Sequence, residues 1–274
     1  MHQYEQYEKN PRLKRLTKGL RAQVHVYTDV RRNKDLRRRF LIFAQGRTGS
    51  TLLRTLLSSH PDIQCDDEIL YFPVVFPKHF VCRKALTSSK KVYGFNVKIY
   101  QLTSIQRIMW PRKFVLGLAE EGWSIIFLRR NNILRQSISN IYAEEGNKYH
   151  YYKSDHRSNK TIVVDCEQVV RMMERRNRYS HDELVVLRDL AVHKVDYERD
   201  LLDPATHQST MDRVFEFLKL PSAPVKTDLV RSIAGTLENS IENYDELKER
   251  LKKRISRSTY MTKTTGDRPL PEGS

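Results

Sequence analysis

The sequence predicts an α/β fold in which a parallel sheet carries helices on both faces. Two observations predict it. Apolar runs of strand length recur along the chain, and segments with helical spacing of apolar residues separate them, an alternation that favours strand–helix–strand crossovers. No internal repeat and no flexible linker divides the 274 residues, a length that suits one sizeable domain.

The elements follow in order. Residues 1 to 39 are polar and basic, end in "RRNKDLRRR", and read as an N-terminal arm or helix. Such a charge run is a solvated face, or else a contact for an anionic membrane or acidic glycan. "FLIFA" (40 to 44) reads as a buried central strand. "STLLRTLLSS" (50 to 59) sets Leu52, Leu53, Leu56 and Leu57 on the stripe of a helix packed on a sheet, and His60-Pro61 ends it. Residues 66 to 80 read as a loop rich in Phe and Pro, and "VYGFNVKIY" supplies a second strand over 92 to 99. Residues 101 to 121 read as helical around an interruption at Pro111. "WSIIFLRR" (123 to 130) is a third strand, followed by a helix over 131 to 146 closed by Gly146. Residues 147 to 161 form a polar loop, 165 to 190 one or two helices, and "AVHKVDYE" (191 to 198) a fourth strand. Further helices are expected around 208 to 218 and 226 to 254, so the domain runs over 40 to 260 with a polar tail at 261 to 274.

Composition narrows the function classes. With 39% hydrophobic and 30% charged residues the chain is globular rather than disordered. No apolar stretch approaches the ~18 to 20 residues of a membrane span, and "MHQYEQYEKNPRLKRL" lacks the apolar core of a signal peptide. A soluble, cytoplasmic protein is expected. Cys65, Cys82 and Cys166 are widely spaced, and nine histidines show no metal-ligand spacing, so neither a disulfide framework nor a metal is expected. Lys and Arg number 49 against 33 Asp and Glu, a net charge of +16. That excess concentrates anionic partners: nucleic acid, a membrane surface and a highly phosphorylated small molecule stay open.

Two motifs carry chemistry. "FLIFAQGRTGSTLL" (40 to 53) is a strand that meets a glycine-flanked turn and a helix start, an arrangement whose helical N–H groups and dipole suit an anion. Gly46 and Gly49 allow close backbone approach, Thr48, Ser50 and Thr51 add hydroxyls, and Arg47 adds a guanidinium fork for a tetrahedral oxyanion. An ordinary turn with Ser50 as helix cap is the plain alternative. The second motif, "SIIFLRRNNILRQSIS", ends a strand on Arg129 and Arg130 and enters a helix bearing Arg135, Ser137 and Ser139. Strand carboxyl ends are where open α/β sheets bind ligands. Adjacent strand residues face opposite sides, so only one of the two arginines serves this site.

These motifs resemble those of sulfotransferases that use 3′-phosphoadenosine 5′-phosphosulfate, PAPS. "GRTGSTLL" is similar to their 5′-phosphosulfate loop, and "LRRNNILRQSIS" to their 3′-phosphate element, in which a serine follows the arginine by eight or nine positions. Arg129 with Ser137 fits the shorter spacing and Arg130 with Ser139 the longer. The likeness is greatest to bacterial carbohydrate sulfotransferases of the trehalose and nodulation-factor type, which favours Arg130 with Ser139. It spans about residues 40 to 255 and implies a P-loop-like fold, PAPS as sulfuryl donor, no metal, and a hydroxyl acceptor on a glycolipid or oligosaccharide. It also implies roles for single residues. Arg47 is the electrostatic catalyst beside the leaving group. Glu68, 21 positions after Arg47 in "CDDEILYF", is the base, with Asp66 and Asp67 as candidates for binding sugar hydroxyls. Lys98 approaches the sulfate or acceptor. Asp196 and Tyr197, in "VDYERDLLDP", are expected to be structural. Apart from the resemblance, His60 and His79 are rival bases, His60 before Pro61 suiting a structural role better, and the loop at 147 to 161 reads as a lid on the acceptor side or as a plain surface loop. The family's glycine-rich C-terminal segment has no counterpart in "RSTYMTKTTGDRP".

Two other classes compete. A metabolite kinase shares the scaffold, but no lysine follows Gly49. A nucleic-acid-binding module accounts for the charge and for the aromatic-basic run "NKYHYYKSDHRSNK", but leaves the strand–turn–helix chemistry unexplained, so no nucleic acid is expected.

Overall fold

The computed structural model describes residues 11–29, 32–145, 151–152, 161–230 and 236–264. Its centre is a five-stranded sheet of β1 (Arg38–Ala44), β2 (Ile63–Asp66), β3 (Val92–Val97), β4 (Trp123–Arg129) and β6 (Val192–Asp196), in the order β2-β3-β1-β4-β6. Every pairing in it is parallel. A parallel sheet needs crossovers, and the chain supplies them as helices α2 (Ser50–Ser58), α3 (Pro77–Leu86), α4 (Pro111–Glu120), α5 (Ile133–Glu145) and α6 (Cys166–Leu187), with α7 (His207–Phe217) after β6. The expected α/β fold with helices on both faces is what the chain adopts.

Period-two alternation in β1 decides which helix packs where. Phe40, Ile42 and Ala44 join Leu53, Leu56 and Leu57 of α2 and Met211, Val214 and Phe215 of α7 in one core. Leu41 and Phe43 point the other way, into a core with Phe80 and Val81 of α3 and Val115 and Leu118 of α4. Gly94 leaves room for the Phe40 ring, because a Cβ there would lie 2.1 Å from it. A third apolar cluster joins Ile138 and Ile141 of α5 to Val169 and Met172 of α6 and Leu247 of α8 (Tyr244–Thr264).

Several elements differ from the sequence expectation. β2 and α3 occupy a stretch read as loop or left unassigned; β2 is a four-residue edge strand and α3 is only weakly amphipathic, so periodicity is faint in both. Pro111 starts α4 instead of interrupting a longer helix, since proline is well suited to a first helical position. A single π-helical turn, Gln101–Ile105, precedes it. Among the described residues the span 226 to 254 is helical only from Tyr244; within it β7 (Leu229–Val230) pairs antiparallel with β5 (Tyr151–Tyr152), in the segment read as a polar loop. β6 stops at Asp196 and passes into a π-helical turn, Tyr197–Leu201. α8 runs to Thr264, across the boundary expected after residue 260. Helix α1 (Pro11–Thr28), in the basic N-terminal segment, buries Val26 in the second core. Gln23 ties it to the loop after β2, donating to Pro73 O at 3.4 Å and accepting from Val75 N at 2.8 Å. Gly146, most of the expected lid and most of the C-terminal tail lie outside the described residues. Among the described residues no helix is long and apolar enough to cross a membrane.

Candidate active site

The turn between β1 and α2 sits beside the central strand at its carboxyl end, as the first motif requires. Gly49 caps α2 with φ 92°, a left-handed conformation, and a Cβ on it would lie 2.6 Å from the Tyr197 ring, so only glycine fits. Ser50 is therefore the first helical residue and not the cap, and no side chain caps the helix. Arg47 also has positive φ, 65°, a strained conformation for a residue with a Cβ. Polar groups hold the turn in this shape. Gln136 Nε2 and Arg176 Nη1 donate to Gly46 O at 2.8 and 2.9 Å, and Arg130 Nη1 donates to Arg47 O at 3.0 Å. Thr48 Oγ1 donates to Gln45 O at 2.7 Å and is buried, so its hydroxyl serves the turn and not the cleft.

A cleft of about 1210 Å³ opens over this turn. Gly46, Arg47, Gly49, Ser50, Thr51, Glu68, Lys98, Arg130 and Ser139 all line it, whereas Thr48 of the turn does not. Arg47 Nε donates to Ser139 Oγ at 3.1 Å, so the two motifs meet through side chains 92 positions apart. Of the two strand-end arginines only Arg130 lines the cleft, its guanidinium 4.5 Å above the Tyr197 ring, where cation–π attraction holds it. Arg129 turns outward to the Asp196 carboxylate, and Ser137 is wholly buried and does not line the cleft. Glu198 stands behind the pair. Its carboxylate lies 3.7 Å from Arg130 Nε and accepts from the N–H groups of Asn131 and Asn132 at 3.0 and 3.1 Å, tying the start of the second motif to the turn after β6.

The opposite wall comes from the loop after β2 and from the end of β3. Lys98 Nζ donates to Glu68 Oε1, and Gln101 Nε2 donates to Glu68 Oε2 at 2.5 Å. A Cβ on Gly46 would stand 3.8 Å from Lys98 Nζ, so the ammonium that meets the Glu68 carboxylate lies close to the turn. Asp67 lines the cleft and accepts from Asn96 Nδ2 at 3.2 Å. Asp66 does not line it; Tyr93 Oη, Gln64 Nε2 and Lys84 Nζ occupy its carboxylate from within the fold. The rival bases lie elsewhere: His60 is buried against Phe215 with its Nε2 3.2 Å from Pro221 O, and His79 stacks on Tyr27. Tyr197 lines the cleft while packing against Arg130 and Gly49, and Asp196 pairs with Arg129.

Among the site residues that the sequence did not single out, one is charged and buried. Arg176, on α6, lines the cleft while 7% exposed, and its Nε has no hydrogen-bond partner. Burial, and then the neighbouring Arg175, Arg47 and Arg130, push its pKa down to about 10. A signal was present: Val169, Arg176 and Glu183 recur at seven-residue spacing on the buried stripe of α6, so two charged residues occupy core positions. Altogether seven Lys and Arg line the cleft against three Asp and Glu, a field that draws anions in.

Behind the turn, Gln45 Nε2 donates to Glu183 Oε2 at 3.1 Å and to Ser180 Oγ at 2.9 Å. Burial raises the Glu183 pKa to about 8, against an unfolded value of about 4.3. Between those values the folded chain binds a proton that the unfolded chain does not, so this group makes stability fall as pH rises through that window and level off above it. Urea unfolding at intervals from about pH 5 to about pH 8 should show the wild type losing stability relative to Glu183→Gln; parallel curves refute the assignment.

No protein-family model matches the chain, and no curated protein matches it. Solved structures do. A crystal structure of a sulfotransferase from Alicyclobacillus acidocaldarius aligns with 15% identity and a TM-score of 0.47, over 85% of this chain and 97% of that one. Mouse sulfotransferase SULT7A1, complexed with PAP, aligns with 10% identity and a TM-score of 0.41, over 74% of this chain and 65% of that one. At these identities and TM-scores, neither structure says what this chain binds.

Proposed function

We propose that the protein is a sulfotransferase that moves a sulfuryl group from PAPS to a hydroxyl acceptor. The observation that carries this reading is the linkage of the two anion motifs: Arg130 Nη1 reaches Arg47 O, and Arg47 Nε reaches Ser139 Oγ, in the lining of one cleft. A donor with phosphate groups at both ends of its nucleoside calls for two cationic elements at a single crevice. Arg176 supports the fit, since a buried guanidinium with an orphan N–H is costly until an anion meets it.

PAPS supplies the sulfuryl group and departs as adenosine 3′,5′-bisphosphate. The remaining work falls to the chain's own residues. Arg47 and the first-turn N–H groups of α2 hold the 5′ end and oppose the charge that gathers on the leaving phosphate. Arg130 and Ser139 hold the 3′-phosphate. Glu68 takes the proton of the acceptor hydroxyl as its oxygen bonds to sulfur and the sulfur–oxygen bond to the phosphate breaks. A carboxylate accepts about four hydrogen bonds, so the contacts from Lys98 and Gln101 leave Glu68 room for that proton. Lys98 keeps the base against the turn. Asp67 and the rings of Tyr71, Tyr100 and Tyr179 line the acceptor wall, a mixture of acceptors and aromatic faces that suits a sugar, in keeping with the carbohydrate-type likeness of the motifs.

Thermal unfolding tests the reading: adenosine 3′,5′-bisphosphate should raise Tm and magnesium-ATP should not, while the reverse selects a kinase. Labelled PAPS offered with a panel of glycolipid and oligosaccharide acceptors then reads transfer as an added sulfuryl mass. Titration calorimetry on two variants separates the strand-end arginines. Arg130→Ala should weaken bisphosphate binding by roughly 1.5 to 3 kcal/mol, the range for a charge-assisted hydrogen bond. Arg129→Ala, which breaks only an outward pair with Asp196, should leave binding unchanged; the opposite pattern moves the site to Arg129 and Ser137.

A further inference from the structure

Away from the cleft floor, seven of the ten large hydrophobic side chains exposed among the described residues gather on three neighbouring segments. They are Leu20 and Val24 of α1, Tyr71, Val75 and Phe76 after β2, and Met109 and Trp110 before α4. Hydrogen bonds knit the segments together. Gln23 joins α1 to Pro73 and Val75, and Gln106 Oε1 accepts from Val74 N at 3.1 Å. Val75, Phe76, Ile108 and Phe114 line one shallow hollow. Exposure is high where it matters: 66% at Phe76, 79% at Met109 and 61% at Trp110. Exposed apolar side chains gathered on segments joined in this way mark a contact.

The charge of these segments says with what. In a chain where about one residue in eight is acidic, residues 11–28, 69–86 and 99–119 hold eleven Lys and Arg and no Asp or Glu, although Lys78, Lys84 and Arg112 pair with Glu121, Asp66 and Asp189 just beyond them or across the fold. Arg21, Arg107 and Lys113 are exposed beside the apolar side chains, and Lys113 Nζ stands 5.5 Å from the Trp110 ring centre. The carboxylate at the hollow, Glu121, pairs with Lys78 at 2.8 Å. A second copy of the chain would set like charges against like. Nucleic acid would answer the cations and leave Val75, Phe76 and Met109 in water. A bilayer with anionic headgroups satisfies both, with a tryptophan at the interface and cations at the headgroups.

We propose that this face docks on an anionic lipid surface, inserting Phe76, Met109 and Trp110 at the headgroup level. Tyr71, which lines the cleft, stands four residues from Val75, a span of at most roughly 14 Å, so the docked molecule holds its cleft beside the lipid. Docking does not depend on the chemistry proposed for the cleft, and bisphosphate binding, measured without lipid, tests that chemistry separately.

The chain holds two tryptophans, Trp110 exposed and Trp123 only 3% exposed, so emission from the first reports contact. Vesicles of phosphatidylcholine, with and without phosphatidylglycerol, are mixed with the full chain. The expected result is co-sedimentation with the phosphatidylglycerol vesicles, with a blue shift and quenching by brominated acyl chains. Trp110→Phe should erase the optical change, and a Phe76→Ser, Met109→Ser double variant with wild-type Tm should lose sedimentation by about tenfold or more. Absence of binding to phosphatidylglycerol vesicles overturns the proposal. So does binding without a Trp110 shift and unmoved by the serine variant, which is plain polyanion attraction. Concentration-dependent dimers broken by that same variant overturn it too, since a second copy then covers the face.

Discussion

Arg47→Ala is expected to lower the rate of the proposed sulfuryl transfer by ~10² to 10³, the usual cost of removing one donor aimed at charge that develops in the transition state. Bisphosphate binding falls less, because the turn's N–H groups, Arg130 and Arg176 stay in place. Two geometric facts sharpen the expectation. Arg47 holds a left-handed backbone conformation, φ 65°, which relaxes no better with alanine, so the strain is not relieved by the change. Its Nε contact to Ser139 also disappears, so some 3′-side weakening accompanies the rate loss. Arg47→Lys keeps a charge but loses the fork, and an intermediate rate separates the need for charge from the need for geometry. Single-turnover transfer with saturating PAPS, set against calorimetric bisphosphate affinity, measures both quantities. Unchanged turnover in the folded alanine variant removes Arg47 from the chemistry.

Glu68→Gln, if the carboxylate is the proposed base, is expected to lower the chemical step by ~10² to 10⁴, the range for loss of general base catalysis. The site makes this substitution less innocent than its shape suggests. Both Glu68 oxygens accept from donors, Lys98 on one side and Gln101 on the other. An amide has one oxygen, so its NH₂ group must face one of those donors. Some loss of Tm therefore accompanies the loss of rate, and single-turnover kinetics across a pH series are needed to isolate the chemistry. A rate near wild type in that series shows that the acceptor needs no base from this carboxylate.

The motifs were legible because each is local. A strand, a glycine-flanked turn and a helix start occur in 14 consecutive residues, and the left-handed turn that Gly49 adopts is a local demand, to which the Tyr197 ring adds a distant one. The pairing of strand-end arginine with helix serine was legible as spacing, and period-two alternation said that one arginine of the doublet turns away. Which one turns away was not in the alternation: Arg129 meets Asp196 and Arg130 meets Tyr197 because β4 pairs with β6 in a register that puts Arg129 opposite Asp196. β2 and α3 were missed because a four-residue edge strand and a weakly amphipathic helix leave little periodic signal.

By itself, then, the sequence determined the alternation of strands and helices, the central apolar strand, the anion turn with its arginine, and a second cationic element at another strand end. Each of these depends on residues close together in the chain, where steric limits and hydrophobic period act directly. Only the tertiary structure decided which distant groups meet. It set Lys98 between Glu68 and Gly46, withdrew Asp66 behind Tyr93, and brought Arg176 from the buried stripe of α6 to the turn. Those contacts depend on strand order and on how helices seat upon the sheet, and burial energy fixes that arrangement over the whole chain with no local mark at the residues it brings together.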